Sequence, residues 1–359
     1  MSQINALVLG ASYGLLPALR ILLAGHRVTV VCRPQEQSAL ATHGASIAFL
    51  RRNGETATRL SAPAVHTTSV ANDLGVCGAK VDLGAFDIVF LAMSEPQFAD
   101  AEIAALVKRI AQAGLPVISL MNALPPPFLD RLGTLDVDKL RGAYTSWAAW
   151  QSLSPDLVSA ASPDAQAVRS DPARLNELSV TLASNFKVAP FAAAKHQDLI
   201  ETIASDVSAY RYDGRPLPVR ILAHTSLHVP LAKWPMLTTG NCRCLRSDGS
   251  IVSISRAVED DIATSNRIYD RTVDIVKATG AADGDIVPFE HYAKAARSLS
   301  RPSSFARAIA AGAARIERVD RMVQLCGRSL GIEVPEIDRI VTQVDRALSC
   351  HEIQCATPQ

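Results

Sequence analysis

Apolar residues in the N-terminal half of the chain fall in short runs separated by turn residues. Ile4 to Leu9 is a largely apolar run closed by Gly10, and Val28 to Val31 is a second one. Between them Leu15 to Leu23 carries apolar groups at helical spacing until Gly25-His26 stops it. Short apolar runs bounded by turn residues read as buried strands, and a three-and-four spacing reads as helix. The opening therefore predicts strand, glycine turn, helix, strand. Next, Glu36 to His43 reads as a short helix and Ile47 to Leu50 as a strand. Asn53-Gly54 signals a hairpin turn into Thr56 to Leu60. Asp87 to Met93 is a buried strand, and Pro96 starts a helix running to about Gln112. Pro116 to Met121 is another strand, Pro125 to Leu132 a short helix, and Gly142 to Trp150 a last strand. Alternating strands and helices on short links predict a parallel sheet covered on both faces.

The rhythm then changes. From Ser152 to Pro172 the composition turns to Ser, Ala, Asp and Pro, which reads as a loop or irregular insertion. Leu175 to Asn185 reads as helix, and Phe186 to Phe191 as a strand-like piece returning to the first domain. Beyond about Ala192 the strand signal fades. Long periodic stretches follow at Lys195 to Ala209, Pro218 to Asn241, Arg256 to Ala278, Phe289 to Ser298, Ser303 to Leu330 and Pro335 to Leu348. The expected architecture is α/β, with an N-terminal Rossmann-type parallel-sheet domain over 1–191 and an all-helical domain over 192–359.

The first turn carries chemistry. Gly10-Ala11-Ser12-Tyr13-Gly14-Leu15 is an imperfect G-x-G-x-x-G. Ser12 replaces the second glycine, and the last glycine falls one place early. Such a turn lets a pyrophosphate approach backbone N–H groups at a helix N-terminus. At the end of the second strand stands Cys32-Arg33, where NAD-preferring sites place an acid for the ribose 2′-hydroxyl. An arginine there clamps a 2′-phosphate, so the expected coenzyme is NADP. The plain alternative for Arg33 is a solvated strand end, and Glu36 lies close by.

Bulk numbers remove other classes. Lys and Arg number 36 against 35 acidic residues, a net +1, so no charge field draws nucleic acid or an anionic membrane. No secretory leader pattern and no apolar run of transmembrane length is present, which predicts a cytoplasmic protein. Seven cysteines at 32, 77, 242, 244, 326, 350 and 355 form no C-x-x-C pair and read as free thiols. Cys242-x-Cys244 lacks a second ligand pair, so no metal is expected. His224 and His228 share a face if their segment is helical, again without an acidic third ligand.

Several motifs in the same order resemble the ketopantoate reductase family across essentially the whole chain. Gly25-His26 followed by Arg33 matches its G-H-x-V … R element, and Asp87-Ile-Val-Phe-Leu-Ala-Met with Gln97 its fourth strand. Leu120-Met121-Asn122-Ala123 resembles its Q-N-G stretch. Lys233 and Asn241 match a catalytic lysine and an asparagine eight residues later on the same helix. Arg301-Pro-Ser-Ser304, Gly312 and Gly331-Ile-Glu-Val-Pro335 match its closing elements.

The resemblance implies NADPH-dependent reduction of a small-molecule 2-keto acid. Negative charge develops on the carbonyl oxygen, and a positioned proton donor lowers the barrier. Lys233, in the apolar stretch LAKWPML, is the expected catalytic group, since desolvation lowers an ammonium pKa. Its plain alternative is a surface lysine. Asn122, just past a strand end, is expected at the cofactor with Gly10, Ser12, Gly14 and Arg33; otherwise it is a turn asparagine. Asn241 and Ser304 are expected at the substrate, with Ser303 competing with Ser304 to cap the following helix. The resemblance leaves a homodimer open.

The departures bear on the substrate. Ser94 stands where the family carries lysine, and Leu237 where it carries a second asparagine. The family's glutamate falls near Arg315 or Ile316, and Glu317 is the nearest acid. One residue turns a helical side chain by about 100°, so Glu317 takes the catalytic role only if the helix is locally shifted. A site lacking those polar partners binds an acid other than ketopantoate, more apolar or bulkier. An opine-type dehydrogenase reducing a keto acid/amino acid imine is the second reading, with His224 and His228 as the nearby histidines. A non-catalytic NADP-binding paralogue is the third.

Overall fold

The computed structural model describes residues 3–51, 54–62, 66–68, 82–162 and 166–356. The chain opens with β1 (Asn5–Leu9), α1 (Leu15–Leu23), β2 (Arg27–Val31), α2 (Pro34–His43), β3 (Ala45–Leu50), β4 (Thr56–Ala62) and β5 (His66–Thr68). It continues through β6 (Ile88–Leu91), α3 (Ala101–Gln112), β7 (Val117–Ser119), α4 (Pro126–Asp130) and α5 (Trp147–Trp150). Then come β8 (Val158–Ser162), β9 (Gln166–Val168), β10 (Glu177–Leu182), β11 (Phe186–Val188) and α6 (Ala194–Ala209). A hairpin of β12 (Arg211–Tyr212) and β13 (Arg215–Pro216) leads to β14 (Ile221–Ala223).

Contacts divide the chain into two compact units. The first comprises Met1–Met93, Gln97–Arg131 and Ala148–Pro230; the second comprises Ser94–Pro96, Leu132–Trp147 and Leu231–Gln359. In the first, one sheet has the order β14-β11-β8-β7-β6-β1-β2-β5. From β5 to β8 every neighbour is parallel, while β11 runs antiparallel to β8 and β14 parallel to β11. The winding reverses between β1 and β6, the switch point of a doubly wound sheet. Its central strands are apolar on both faces because both faces are covered: Leu7, Val8, Ile88, Val89, Val117 and Ile118 are fully buried.

A second sheet in the same unit has the order β4-β3-β10-β9. The expected hairpin is its β3–β4 pair, antiparallel from Ala45↔Ala62 to Leu50↔Thr56. Gly54 lies in its turn, and Asn53 lies outside the described residues. α1 packs on β3 and β4 as well as on β2, so it is buried around most of its circumference, Arg20 included. The Arg20 guanidinium donates to the Leu16, Pro218 and Val219 carbonyls and lies over the Phe49 ring. Val219 itself takes φ 59, a left-handed conformation that costs a β-branched residue free energy.

Three expectations fail here for identifiable reasons. Leu175 to Asn185 is not helical: it contains β10, where Leu178 and Val180 are buried and alternate with half-buried Glu177 and Ser179. Pairing with β3 and β9 selects period two over helical spacing. Gly142 to Trp150 is not a strand, and the sheet position beside β7 is taken by β8, within the expected irregular stretch. β8 is VSAAS, buried throughout, and its serines hide the apolar signal; Ser159 Oγ donates to the Ala189 carbonyl at 2.6 Å. The helix expected from Pro96 begins later, at Ala101, where Asp100 caps it by accepting the Glu102 and Ile103 N–H groups. α6 packs on β14, and β14 extends the sheet beyond β11, so these elements belong to the first unit, which runs to Pro230.

The second unit holds α7 (Trp234–Met236), α8 (Ile254–Glu259), α9 (Ile262–Ala278), α10 (Phe289–Ala296), α11 (Ser304–Ala310), α12 (Val319–Ser329) and α13 (Pro335–Ala356). One core gathers α8, α9 and α10, with Tyr269 stacked on Tyr292 at 5.5 Å. A stretch expected as one helix from Ser303 to Leu330 breaks after α11, where Gly312 takes φ 79, and resumes only at Val319. Pro218 to Asn241 likewise is not one helix, since it contains β14 and a turn before the helical segment starts at Leu231. Among the described residues no helix is long and apolar enough to cross a membrane, and no group of three His, Cys, Asp or Glu could hold a metal ion.

Candidate functional site

In the first unit the expected cofactor residues gather at the carboxyl end of the parallel strands. Gly10 follows β1, and its N–H donates to the Val31 carbonyl at 2.9 Å. It takes φ 108, open to glycine alone, and a Cβ there would lie 2.8 Å from Met93 Cγ and 3.0 Å from the Ala92 carbonyl. A Cβ on Gly14 would come within 2.0 Å of the Gly10 carbonyl. Both glycines therefore keep the turn folded tightly on itself and against the end of β6, at the switch point. Gly14 also caps α1 without a side chain, and Ser12 is exposed in the turn. A compact turn with bare corners leading into a nine-residue helix fits the pyrophosphate of a dinucleotide. Asn122 lies three residues beyond the end of β7, half-buried.

Arg33 is not a bare solvated strand end. It is the N-cap of α2, and its guanidinium donates to Glu36 Oε2 at 3.3 Å and Oε1 at 3.0 Å. Burial works to raise the Glu36 carboxyl, yet hydrogen bonds from Arg33 and Arg169 prevail and hold it below the ordinary range.

In the second unit Lys233 ends a 3₁₀ turn over Leu231–Lys233 and leads into α7. A π turn over Leu237–Asn241 and a 3₁₀ turn over Cys242–Cys244 follow, making one continuous helical segment of changing pitch. In pure α geometry Asn241, eight residues on, would sit about 80° around from Lys233; the extra residue absorbed by a π turn reduces this to about 20°. The flanking Leu231, Ala232 and Trp234 are buried and Lys233 itself is half-buried. Burial pushes its ammonium down from 10.5 to about 7.

Ser303 and Ser304 divide their duties. Ser303 Oγ accepts the Ala306 N–H at 3.1 Å as the cap of α11 and donates to the Asn241 carbonyl at 2.8 Å. The exposed Ser304 hydroxyl is thereby relieved of capping and stands beside the end of the Lys233 segment.

Glu317 lies in the irregular stretch between α11 and α12, so the helical phase that counted against it does not apply. Its Oε1 accepts the Glu95 N–H at 3.1 Å. Of the two positions where the family's glutamate was expected, Arg315 is exposed and Ile316 belongs to an apolar core. Glu95 was not singled out from the sequence. Fully buried, it accepts from Ser146 N at 2.7 Å and Ser146 Oγ at 2.5 Å, and its Oε2 has no hydrogen-bond partner. Burial raises its pKa against those hydrogen bonds. The departures Ser94 and Leu237 are respectively exposed and buried. His224 and His228 lie in the first unit, in the turn after β14, and are not on a helix; His224 Nδ1 accepts the Ser226 N–H.

No protein-family model matches the chain, and no curated protein does. Solved structures do. A ketopantoate reductase candidate from Ralstonia solanacearum MolK2 aligns over 98% of this chain and 99% of its own, with TM-score 0.67 and 17% identity. A PanE/ApbA family ketopantoate reductase from Ralstonia eutropha JMP134 aligns over 97% and 100%, with TM-score 0.64 and 16% identity. A D-mandelate dehydrogenase solved with NADH and anilino(oxo)acetate aligns over 97% and 100%, with TM-score 0.62 and 12% identity. Sheet order, helical second unit and these full-length alignments agree that the chain has the fold of the ketopantoate reductases.

Proposed function

We propose that this protein is an NADPH-dependent oxidoreductase that reduces a 2-keto acid to the 2-hydroxy acid. The observation that carries the reading is Lys233: an ammonium pushed down to about 7 by burial on a π-interrupted helical segment. A surface lysine feels no such pressure, whereas a proton donor working near neutrality requires it. π turns also occur often at functional sites.

Gly10, Ser12 and Gly14 would hold the pyrophosphate, Arg33 the adenosine ribose and Asn122 the nicotinamide end. The bound coenzyme supplies the hydride. Lys233 Nζ donates a hydrogen bond to the substrate carbonyl oxygen and passes it a proton as negative charge grows there. Asn241 and the Ser304 hydroxyl bind the substrate's polar groups. Glu317, anchored by the Glu95 N–H, supplies the carboxylate of the catalytic set.

Leu237 and Ser94 shape the preference. With leucine in place of an asparagine and serine in place of a lysine, the site offers fewer partners for hydroxyls. A branched or aromatic 2-keto acid then suits it better than ketopantoate. The D-mandelate dehydrogenase neighbour shows that this fold carries dehydrogenases named for other acids. The opine-type reading has less support, because His224 and His228 are not on a helix.

The test is a panel of branched and aromatic 2-keto acids with NADPH, with and without added amino acids. Coenzyme consumption with keto acid alone is expected. Consumption only when an amine is present would favour the imine reductase, and none under either condition would leave a nucleotide-binding protein.

A further inference from the structure

The first unit brings a residue to the coenzyme end of the sheet that the sequence pattern does not mark. Arg169 is the first residue after β9, and the smaller sheet carries it back to the end of β2. Glu36 Oε1 accepts from Arg33 Nη2 at 3.0 Å and from Arg169 Nη1 at 3.1 Å. Arg169 Nη2 donates to the Ala11 carbonyl in the glycine turn at 3.3 Å and to the Leu175 carbonyl at 2.8 Å. Its Nε is buried without a partner. One anionic oxygen thus sits between two guanidiniums, one from each sheet, beside the pyrophosphate turn.

The two Glu36 oxygens do different work. Oε2 accepts the Arg33 N–H at 3.1 Å, the ordinary duty of a glutamate at the third position of a helix. Capping accounts for that contact and for nothing at Oε1. The side chain of Arg33 is 69% exposed and bonded to Glu36, while Arg169 at 15% is held by the Ala11 and Leu175 carbonyls as well. In doubly wound folds the end of the second strand is where the adenosine ribose lies.

We propose that Arg169 is a specificity-determining residue for the coenzyme: with Arg33 it forms a two-guanidinium clamp for the ribose 2′-phosphate, in which Glu36 Oε1 stands in the place of a phosphate oxygen. The clamp rests on the reading of this chain as a nicotinamide coenzyme enzyme. Two arginines and one carboxylate leave a net charge of +1. A phosphate dianion gains from that excess and competes with Glu36 for the same donors. A neutral 2′-hydroxyl has no charge with which to compete. Glu36 therefore tunes the preference, weakening the grip on phosphate without abolishing it.

The experiment is calorimetric titration of NADPH and NADH into the full-length protein and into Arg169→Ala, Arg169→Lys and Glu36→Gln. Arg169→Ala is expected to weaken NADPH by about ten-fold, the loss of one charge-assisted hydrogen bond, with NADH changed by less than about two-fold. Arg169→Lys, which keeps the charge if the alanine variant fails to fold, is expected to fall between. Glu36→Gln keeps the helix cap and is expected to tighten NADPH relative to NADH. If the Arg169 variants weaken both coenzymes equally, Arg169 is a strut between sheet and turn and the clamp is overturned. A selective loss of NADH in Glu36→Gln also overturns it, because Glu36 would then be reading a hydroxyl. Wild-type protein that binds neither coenzyme overturns the underlying enzyme reading instead.

Discussion

Replacing Lys233 by methionine is expected to abolish turnover and to stabilise the protein at the same time. Folding lowers this ammonium from 10.5 to about 7. A fall of about 3.5 pH units, at about 1.4 kcal/mol each, corresponds to about 5 kcal/mol against the folded state. Lys233 is half-buried, and the remaining solvent access reduces that to about 2–3 kcal/mol. Below pH 7 folded and unfolded chains both hold the proton, so the penalty is complete. Between about 7 and 10.5 the folded chain is neutral there while the unfolded chain remains protonated, so wild-type stability climbs with pH. Above 10.5 the penalty is gone. Methionine has a similar length, carries no charge at any pH and suits the apolar setting. Its advantage is therefore largest below pH 7 and shrinks through that window. Urea unfolding of both proteins at about pH 6.5 and about pH 9.5 reads the difference. A methionine variant less stable than wild type at the lower pH, or an advantage that does not shrink with pH, would refute the reasoning. Either outcome would mean that burial does not lower this ammonium as far as about 7.

Three further outcomes follow from the geometry. Keto acid reduction should slow as pH rises through about 7, since Lys233 then loses the proton it donates; a kcat profile flat across that range would exclude it as the donor. Gly14→Ala puts a Cβ at 2.0 Å from the Gly10 carbonyl, a backbone atom that cannot swing aside. Coenzyme affinity should fall at least about ten-fold and stability by about 2 kcal/mol, checked by titration and thermal unfolding. Glu95→Gln retains an acceptor for Ser146 while removing a carboxyl whose pKa burial raises above 4.5. Folded protein holds that proton where the unfolded chain releases it, so wild-type stability is lost as pH rises above 4.5 and the glutamine variant should gain on it steadily. Unfolding midpoints that keep a constant gap across the acid range would contradict this.

The sequence was legible where one element decides its own structure. α1 runs from Leu15 to Leu23 as its spacing indicates, because its caps and apolar spacing are local. β1, β6 and β7 are buried on both faces and β2 carries the run Val28, Val30 and Val31, so all four read clearly. Reading failed where neighbours decide. The six residues of β10 are a strand because β3 and β9 flank them, and β8 is a strand although its residues are small and partly polar. At the candidate site Gly10, Gly14 and Arg33 stood out through motif spacing alone. Lys233 and Asn241 were visible as a pair, but the π turn that alters their phase leaves no mark on the sequence. Glu95 and Arg169 were invisible, since each gains meaning only from partners far along the chain: Ser146 and Glu317 for one, Glu36 and Ala11 for the other. The doubt over Glu317 came from assuming a helix through 311–318, which Gly312 interrupts.

Lys233→Ala under saturating NADPH and a productive keto acid, with coenzyme affinity measured on the same sample, addresses the chemistry most directly. Catalysis reduced by several orders of magnitude while NADPH binds as tightly as before is the expected result. A variant that still turns over near the wild-type rate would show that the proton comes from elsewhere, and the role assigned to Lys233 would be wrong.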